Sequence, residues 1–378
     1  MWQRIGGLVA AAVVIGVSAA PAAAYAPSTS PSTSPSVSPS TTGTPMCTIS
    51  DPQVTEVSGL VATDDGYVVV NDSNIERSRV KIMFLDGRCK LTRSVSYPSN
   101  ALDPEDLAVA GDGTLWVADI GDNTTATGGS GTRRSTVALW SLAPRAATPV
   151  VHRLVYPDGK PRDAEALLLN GDGTPVIVTK DPVGEVYVPD GPLAPDNTNG
   201  VQLRRVGLFK PRATGTANPY GILGTGVVTG GAVSPDGRRA VVRTMSDAYE
   251  FDVTGGDVAA AITSGTPRIT ALPNEPQGEA IAYTPDGTSF VTASDQPKAS
   301  TILRYTPVAA PPTPSAASSG APVAAPAPGR SRSFLDGLSL RDVTWIVAGI
   351  GGFGVLMIVV GVVGVRRSRA ARRATIAP

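Results

Sequence analysis

EDLAVAGDGTLWVAD, residues 105–119, holds a polar residue, an apolar run, an Asp-Gly step, a second apolar run and a closing acid. The same phrase returns as SGLVATDDGYVVVND (58–72), EALLLNGDGTPVIVTKD (165–181), TGGAVSPDGRRAVVRTM (229–245) and EAIAYTPDGTSFVTASD (279–295). In every copy the opening residue stands seven positions before the Asp of Asp-Gly. Copies begin 47, 60, 64 and 50 residues apart, close to the period of propeller blades. Asp-Gly between β-rich runs such as YVVV, TLWVAD and PVIV is a hairpin signal. Further strands follow each phrase, for example RVKIMFLD and LTRSVSY after the first. Each repeat therefore reads as a four-stranded meander, and helical periodicity is nearly absent, Asp257–Thr263 making at most one turn. The predicted fold class is all-β, a single β-propeller of five blades with a C-terminal transmembrane helix. Six blades is the alternative, since the 64-residue interval could hold a degenerate one.

The last copy has only three strands before proline-rich sequence begins, so MCTIS around Cys47 is expected to supply the fourth and close the ring. Cys47 and Cys89 are the only cysteines, and in an exported chain an isolated pair is read as a disulfide. It would tie the closing strand to the first blade. The absence of Cys-x-x-Cys spacing argues against a redox role.

Export is read from the N-terminus: one Arg, a short apolar core and an Ala-Tyr-Ala site predict a signal peptide over 1–26. Residues 27–45 are a Ser/Thr/Pro linker, 46–307 the ectodomain and 308–342 a Pro/Ala-rich stalk. Val343–Val365 is an apolar run of 23 residues, enough to span a bilayer. Arg366, Arg367, Arg369, Arg372 and Arg373 follow, which places the tail 366–378 in the cytoplasm. The expected location is the cell membrane, single-pass, with the bulk outside and one helix as membrane partner. Between Met46 and Pro307 there are 30 acidic against 23 basic residues. That acidity, with few aromatics, excludes nucleic acid and leaves a cell-envelope or protein ligand as the partner class.

A hairpin turning at Asp-Gly brings its two ends together, so the opening residues and closing acids should gather at one mouth. The pairs are Ser58 with Asp72, Glu105 with Asp119, Glu165 with Asp181 and Glu279 with Asp295. Asp181 and Asp295 lie nine after the Asp of Asp-Gly, not seven, which keeps strand parity. The fourth copy sets Thr229 against Arg243, an anchor for the rim or for an anionic ligand. In the second copy Glu105, Asp119, Asp122 and Asn123 make an oxygen-only set suited to Ca²⁺ and not to zinc. The alternative for these acids is structural: accepting backbone amides in turns or holding channel water. The single histidine, His152, falls in the strand-like HRLVY and no GxSxG elbow occurs, which argues against a serine triad. No Walker or Rossmann glycine pattern occurs.

The phrases DPEDLAVAGDGTLWVADIGDN, DAEALLL and PQGEAIAYTPDG resemble a family of exported, membrane-anchored actinobacterial β-propeller proteins. More distantly the phrase is similar to those of phytase-like esterase and gluconolactonase-like propellers. That resemblance implies a Ca²⁺ or other divalent site at the channel mouth, carried over to Glu105, Glu165 and Glu279. Ser58 and Thr229 depart from it by lacking an acid. The leading expectation is a binding or scaffold module displayed on a stalk. The alternatives are a Ca²⁺-dependent hydrolase of phosphate or lactone esters, with those glutamates as ligands or base, and a purely structural envelope protein.

Overall fold

The computed structural model describes residues 42–74, 76–122 and 134–310. The signal peptide, most of both linkers, the membrane span, the basic tail and Asn123 lie outside them. Among the described residues no helix is long and apolar enough to cross a membrane. Every described element belongs to one compact unit that ends at Pro311.

The chain opens with β1 (Thr44–Ile49) and then forms antiparallel meanders. The first is β2 (Val57–Thr63), β3 (Gly66–Asn71), β4 (Lys81–Asp86) and β5 (Leu91–Ser96). The second is β6 (Pro104–Val109), β7 (Leu115–Asp119), β8 (Val137–Leu142) and β9 (Val150–Val155). The third is β10 (Ala164–Leu169), β11 (Pro175–Thr179), β12 (Gly184–Pro189) and β13 (Val201–Phe209). After a short helix α1 (Ile222–Gly226) come β14 (Val228–Val233), β15 (Arg239–Thr244), β16 (Asp247–Asp252), helix α2 (Val258–Ser264) and β17 (Arg268–Ala271). The last run is β18 (Gly278–Tyr283), β19 (Phe290–Ser294) and β20 (Ser300–Tyr305). β1 pairs antiparallel with β20 as its fourth strand. A short parallel pairing of Val201 with Leu154 and Gln202 with Val155 joins the second and third meanders into one eight-stranded sheet.

The first strands form the inner ring. β2 packs on β6, β6 on β10, β10 on β14, β14 on β18, and β18 back on β2. The result is an all-β, propeller-like ring. An apolar layer fills the space between each neighbouring pair of meanders. Examples are Val70, Ile82, Leu107 and Trp140 between the first and second, and Val241, Ile281 and Phe290 between the fourth and last. Each fully buried Val, Leu or Phe contributes about 1.5–3 kcal/mol, so the layers hold the meanders in place. The Cys47–Cys89 disulfide ties β1 to the turn after β4.

The Asp-Gly steps sit where the hairpins need them. In four copies Gly113, Gly173, Gly237 and Gly287 have φ of +83°, +84°, +67° and +69°, the left-handed region that favours glycine. The Asp before each accepts the amide two residues ahead, as Asp112 does from Thr114 at 2.9 Å. The first copy is tighter: Thr63 pairs with Gly66, leaving only Asp64 and Asp65 as the loop.

Candidate functional site

Each inner strand carries the same irregularity. The ladder register shifts between Val57 and Gly59, Pro104 and Asp106, Ala164 and Ala166, Val228 and Gly230, and Gly278 and Ala280. The residue left unpaired is Ser58, Glu105, Glu165, Thr229 or Glu279, the opening residue of every phrase. A bulge adds one residue to one strand and re-aims its side chain, here toward the end of the ring opposite the Asp-Gly turns.

Three of these side chains converge. Carboxylate oxygens of Glu105, Glu165 and Glu279 all lie within 4.8 Å of one another, and so do those of Asp72, Asp103 and Glu105. Both groups could hold a metal ion. Ser58 Oγ donates to Glu105 Oε2 at 2.9 Å, and Thr229 Oγ1 donates to the Gly278 carbonyl at 2.9 Å. Lys180 Nζ stands 2.5 Å from Glu165 Oε1, its side chain 38% exposed while Glu165 is fully enclosed. Gly121 presses on the same centre: a Cβ there would lie 1.8 Å from Glu105 Oε1 and 2.7 Å from Asp103 Oδ2.

Packing carboxyls this closely in a buried place favours their protonated forms. Burial, then the charges of Glu165, Asp72 and Asp103, push Glu105 well above the usual range. Burial and then Glu165 do the same to Glu279. Burial raises Glu165 to about 7, with the Lys180 ammonium pulling the other way. Asp295 is raised to about 6 by burial and Glu56, and Asp72 is raised by burial against the pull of the Ser73 amide. Lys180 is raised in turn, first by the Glu165 charge.

The other expected residues have different surroundings. Asp119 accepts from the amides of Leu102 and Asp103 at 3.1 and 2.9 Å, from Trp140 Nε1 at 3.2 Å and from Arg134 Nη1 at 2.6 Å. Burial alone would raise it, but the Arg134 charge and these bonds hold it below the ordinary range. Asp122 lies beside it: its amide donates to Asp163 Oδ1 at 2.9 Å, and its own Oδ1 faces the Arg134 amide at 3.5 Å. Of the predicted set of Glu105, Asp119, Asp122 and Asn123, only Glu105 belongs to the central group, and Asn123 is outside the described residues. Asp181 is exposed and faces Thr179 Oγ1 at 3.3 Å. Asp295 accepts from Gln277. Arg243 is wholly buried: it donates to the carbonyls of Thr244, Met245 and Ala280 and pairs with Glu275 at 3.0 Å, which locks β15 to β18. His152 is buried against Trp116 on β9, with Nε2 2.9 Å from Ser141 Oγ.

Sequence reasoning passed over Asp103, Lys180, Glu275 and Asp106. The parity argument assumed a regular ladder, and the bulge at Glu165 breaks it, so Lys180 and not Asp181 meets the glutamate. Asp106 had a readable signal: it is an acid where the other copies have Gly59, Ala166, Gly230 and Ala280. Its carboxylate accepts the amides of Leu107, Leu167 and Gly231 at 2.8, 2.8 and 3.0 Å, which ties three inner strands together. At the opposite, Asp-Gly end, a cavity of about 1230 Å³ is lined by Leu60, Leu107, Leu169, Ala232 and Ala282. Asp64, Asn170, Asp236, Arg238 and Asp252 line it as well, so this mouth mixes apolar and polar groups where the other gathers acids.

No family model and no curated protein matches the chain. Among solved structures it is similar to a gluconolactonase from Xanthomonas campestris, with TM-score 0.38 and 12% identity over 66% of this chain and 72% of that one. It is similar also to the PQQ-bound aldose sugar dehydrogenase from Streptomyces coelicolor, with TM-score 0.37 and 10% identity over 69% of this chain and 96% of that one. Neither likeness carries an activity to this chain.

Proposed function

We propose that the protein is a five-bladed propeller displayed outside the cell as a binding module, with a divalent cation, Ca²⁺, held at its acidic mouth. The observation that carries this reading is the convergence of Glu105, Glu165 and Glu279 from three different inner strands. Buried carboxylates repel one another, and only protons or cations offset that cost. The donors are all oxygen, with Asp72 and Asp103 beside them and no His or Cys, which suits a hard ion. Display is supported by the exits of the ring. Thr44 pairs with Arg304, and Tyr305 pairs with Phe290 just after the last Asp-Gly turn, so both linkers leave at the end away from the acids.

Calorimetric titration of the purified protein with CaCl₂ tests the cation. One ion per ring is expected, with Glu279→Gln weakening it at least about tenfold, the loss of one charged ligand. No heat in the wild type, and no change in melting temperature on adding EDTA, would remove the site. A second reading, hydrolysis of phosphate or lactone esters, is favoured by one observation: Glu165, raised to about 7, is poised as a general base at neutral pH. Turnover of a phosphoester or lactone panel that is lost in Glu165→Gln would establish it over the binding reading.

A further inference from the structure

Large apolar side chains stand exposed at the acidic end. The segment between β13 and β14 carries Tyr220, Ile222 and Leu223 at 40%, 79% and 65% exposure, and the β11–β12 turn adds Val183 at 43%. The β13–β14 segment is pinned from beneath. Thr214 and Thr216 donate to the Asp247 carboxylate at 2.7 and 2.6 Å, Asn274 donates to the Ala217 carbonyl at 2.8 Å, and Ser246 donates to the Gly224 carbonyl at 3.2 Å. Its tip is nonetheless turned out, and Ile222 and Leu223 stay mostly exposed. Contiguous exposed aliphatics on an anchored loop mark an interaction surface more than scattered ones do.

This lip joins the acidic centre directly. Tyr220 lies 3.5 Å from Gln277 Oε1, Gln277 donates to Asp295, and Glu279 follows two residues later. Val183 lies three residues after Lys180 on the other side. Lys180 pairs with Glu165 there, while Asp72 and Asp295 stand only partly buried at the edge of the same end.

We propose that the acidic end docks a polypeptide segment in which a basic side chain is flanked by aliphatic ones. The base meets the rim at Asp72 and Asp295, and the aliphatics cover Ile222 and Leu223. Charge complementarity selects the occupant. An anionic membrane surface would be repelled by the same carboxyls, and a nucleic acid would be too. The inference rests on the binding-module reading but not on the cation.

The test uses the unit ending at Pro311, with fluorescence anisotropy of three labelled peptides of equal length: alternating Leu/Lys, Lys/Ser and Leu/Glu. Folding is checked by the melting temperature, which Ile222→Ser and Leu223→Ser should leave in place because both side chains are exposed. The Leu/Lys peptide is expected to bind tightest, and the double Ser variant to weaken it about tenfold or more while leaving Lys/Ser unchanged. Asp72→Asn with Asp295→Asn should weaken both basic peptides. Equal binding of Leu/Lys and Leu/Glu, or no effect of the lip variant, overturns the proposal. So does tighter association with vesicles of anionic lipid than with the Leu/Lys peptide. Calcium titration of the lip variant separates the two readings: it should match the wild type, and a failure there would concern the cation and not the lip.

Discussion

Glu165 makes the ring less stable as pH rises through the neutral range. Its carboxyl is wholly buried and its pKa is raised from 4.5 to about 7. The folded form thus holds this proton more tightly than the unfolded chain does, so protonation favours folding. That stabilisation is complete below about pH 4.5 and is lost as pH climbs through 7. A difference of this size corresponds to about 3 kcal/mol in all, of which about 2–3 kcal/mol falls between pH 5 and 8. Glu105 and Glu279, raised by burial and mutual repulsion, act in the same direction. Carboxyls held low, such as Asp119 and Asp286, have the opposite sign but act near and below pH 4. Urea unfolding of the unit ending at Pro311, in EDTA, at pH 5, 6, 7 and 8 reads the effect. Urea is preferred to guanidinium because it leaves the charges unscreened. The wild type should lose stability across that window, and Glu165→Gln should flatten the loss by about 2 kcal/mol. Adding CaCl₂ should restore stability at pH 8 in the wild type more than in the variant. Identical pH profiles for the two proteins, or a wild type that gains stability relative to Glu165→Gln toward pH 8, would refute the assignment of a buried, proton-sharing centre.

Three other outcomes follow from particular contacts. Gly121→Ala sets a Cβ 1.8 Å from Glu105 Oε1, so Glu105 must move, and calorimetry should show at least about a tenfold loss of calcium affinity. Arg243→Met strands Glu275 in the interior and should cost about 3–5 kcal/mol in urea unfolding. Adding Glu275→Gln should recover part of that loss, and a fully additive double variant would contradict the pairing. Replacing Cys47 and Cys89 together by Ser opens a loop with a separation of 42 and should cost about 4 kcal/mol on the chain-entropy model. A reductant should lower the wild type's melting temperature in parallel, with no effect on the double variant.

Much of the architecture could be read from one phrase because its cues are local. Asp-Gly needs a left-handed glycine, alternating β-branched runs need a sheet, and the period sets the size of each meander. The three-stranded ending and Cys47 pointed to β1 as the closing strand, which it is. The helical reading of Asp257–Thr263 was faint because it spans barely two turns, yet α2 forms there with Asp257 capping the Ala260 amide at 2.8 Å.

The candidate site was legible only in part. That Glu105, Glu165 and Glu279 should share one mouth follows from their equal distance to Asp-Gly. Which second-strand residue joins them does not. Pairing by parity holds for a regular ladder, and the bulge at every opening residue moves the partner by one place. Arg134 and Glu275 lie outside any spacing rule, because Arg134 reaches Asp119 from the segment before β8 and Glu275 meets Arg243 between neighbouring meanders. Asp119 is decided by Arg134 and Trp140, and no feature of DIGDN alone reports that pairing.

By itself, then, the sequence determined the strands, their turns, the repeat and the end of the ring where the acids gather, since these depend on residues near one another in the chain. The tertiary structure alone decided which carboxyls are pushed toward their protonated forms, which are neutralised by arginine, and that Lys180 pairs with Glu165. Those outcomes depend on burial and on distances of a few ångström between strands far apart in sequence, and a carboxylate's charge responds to both.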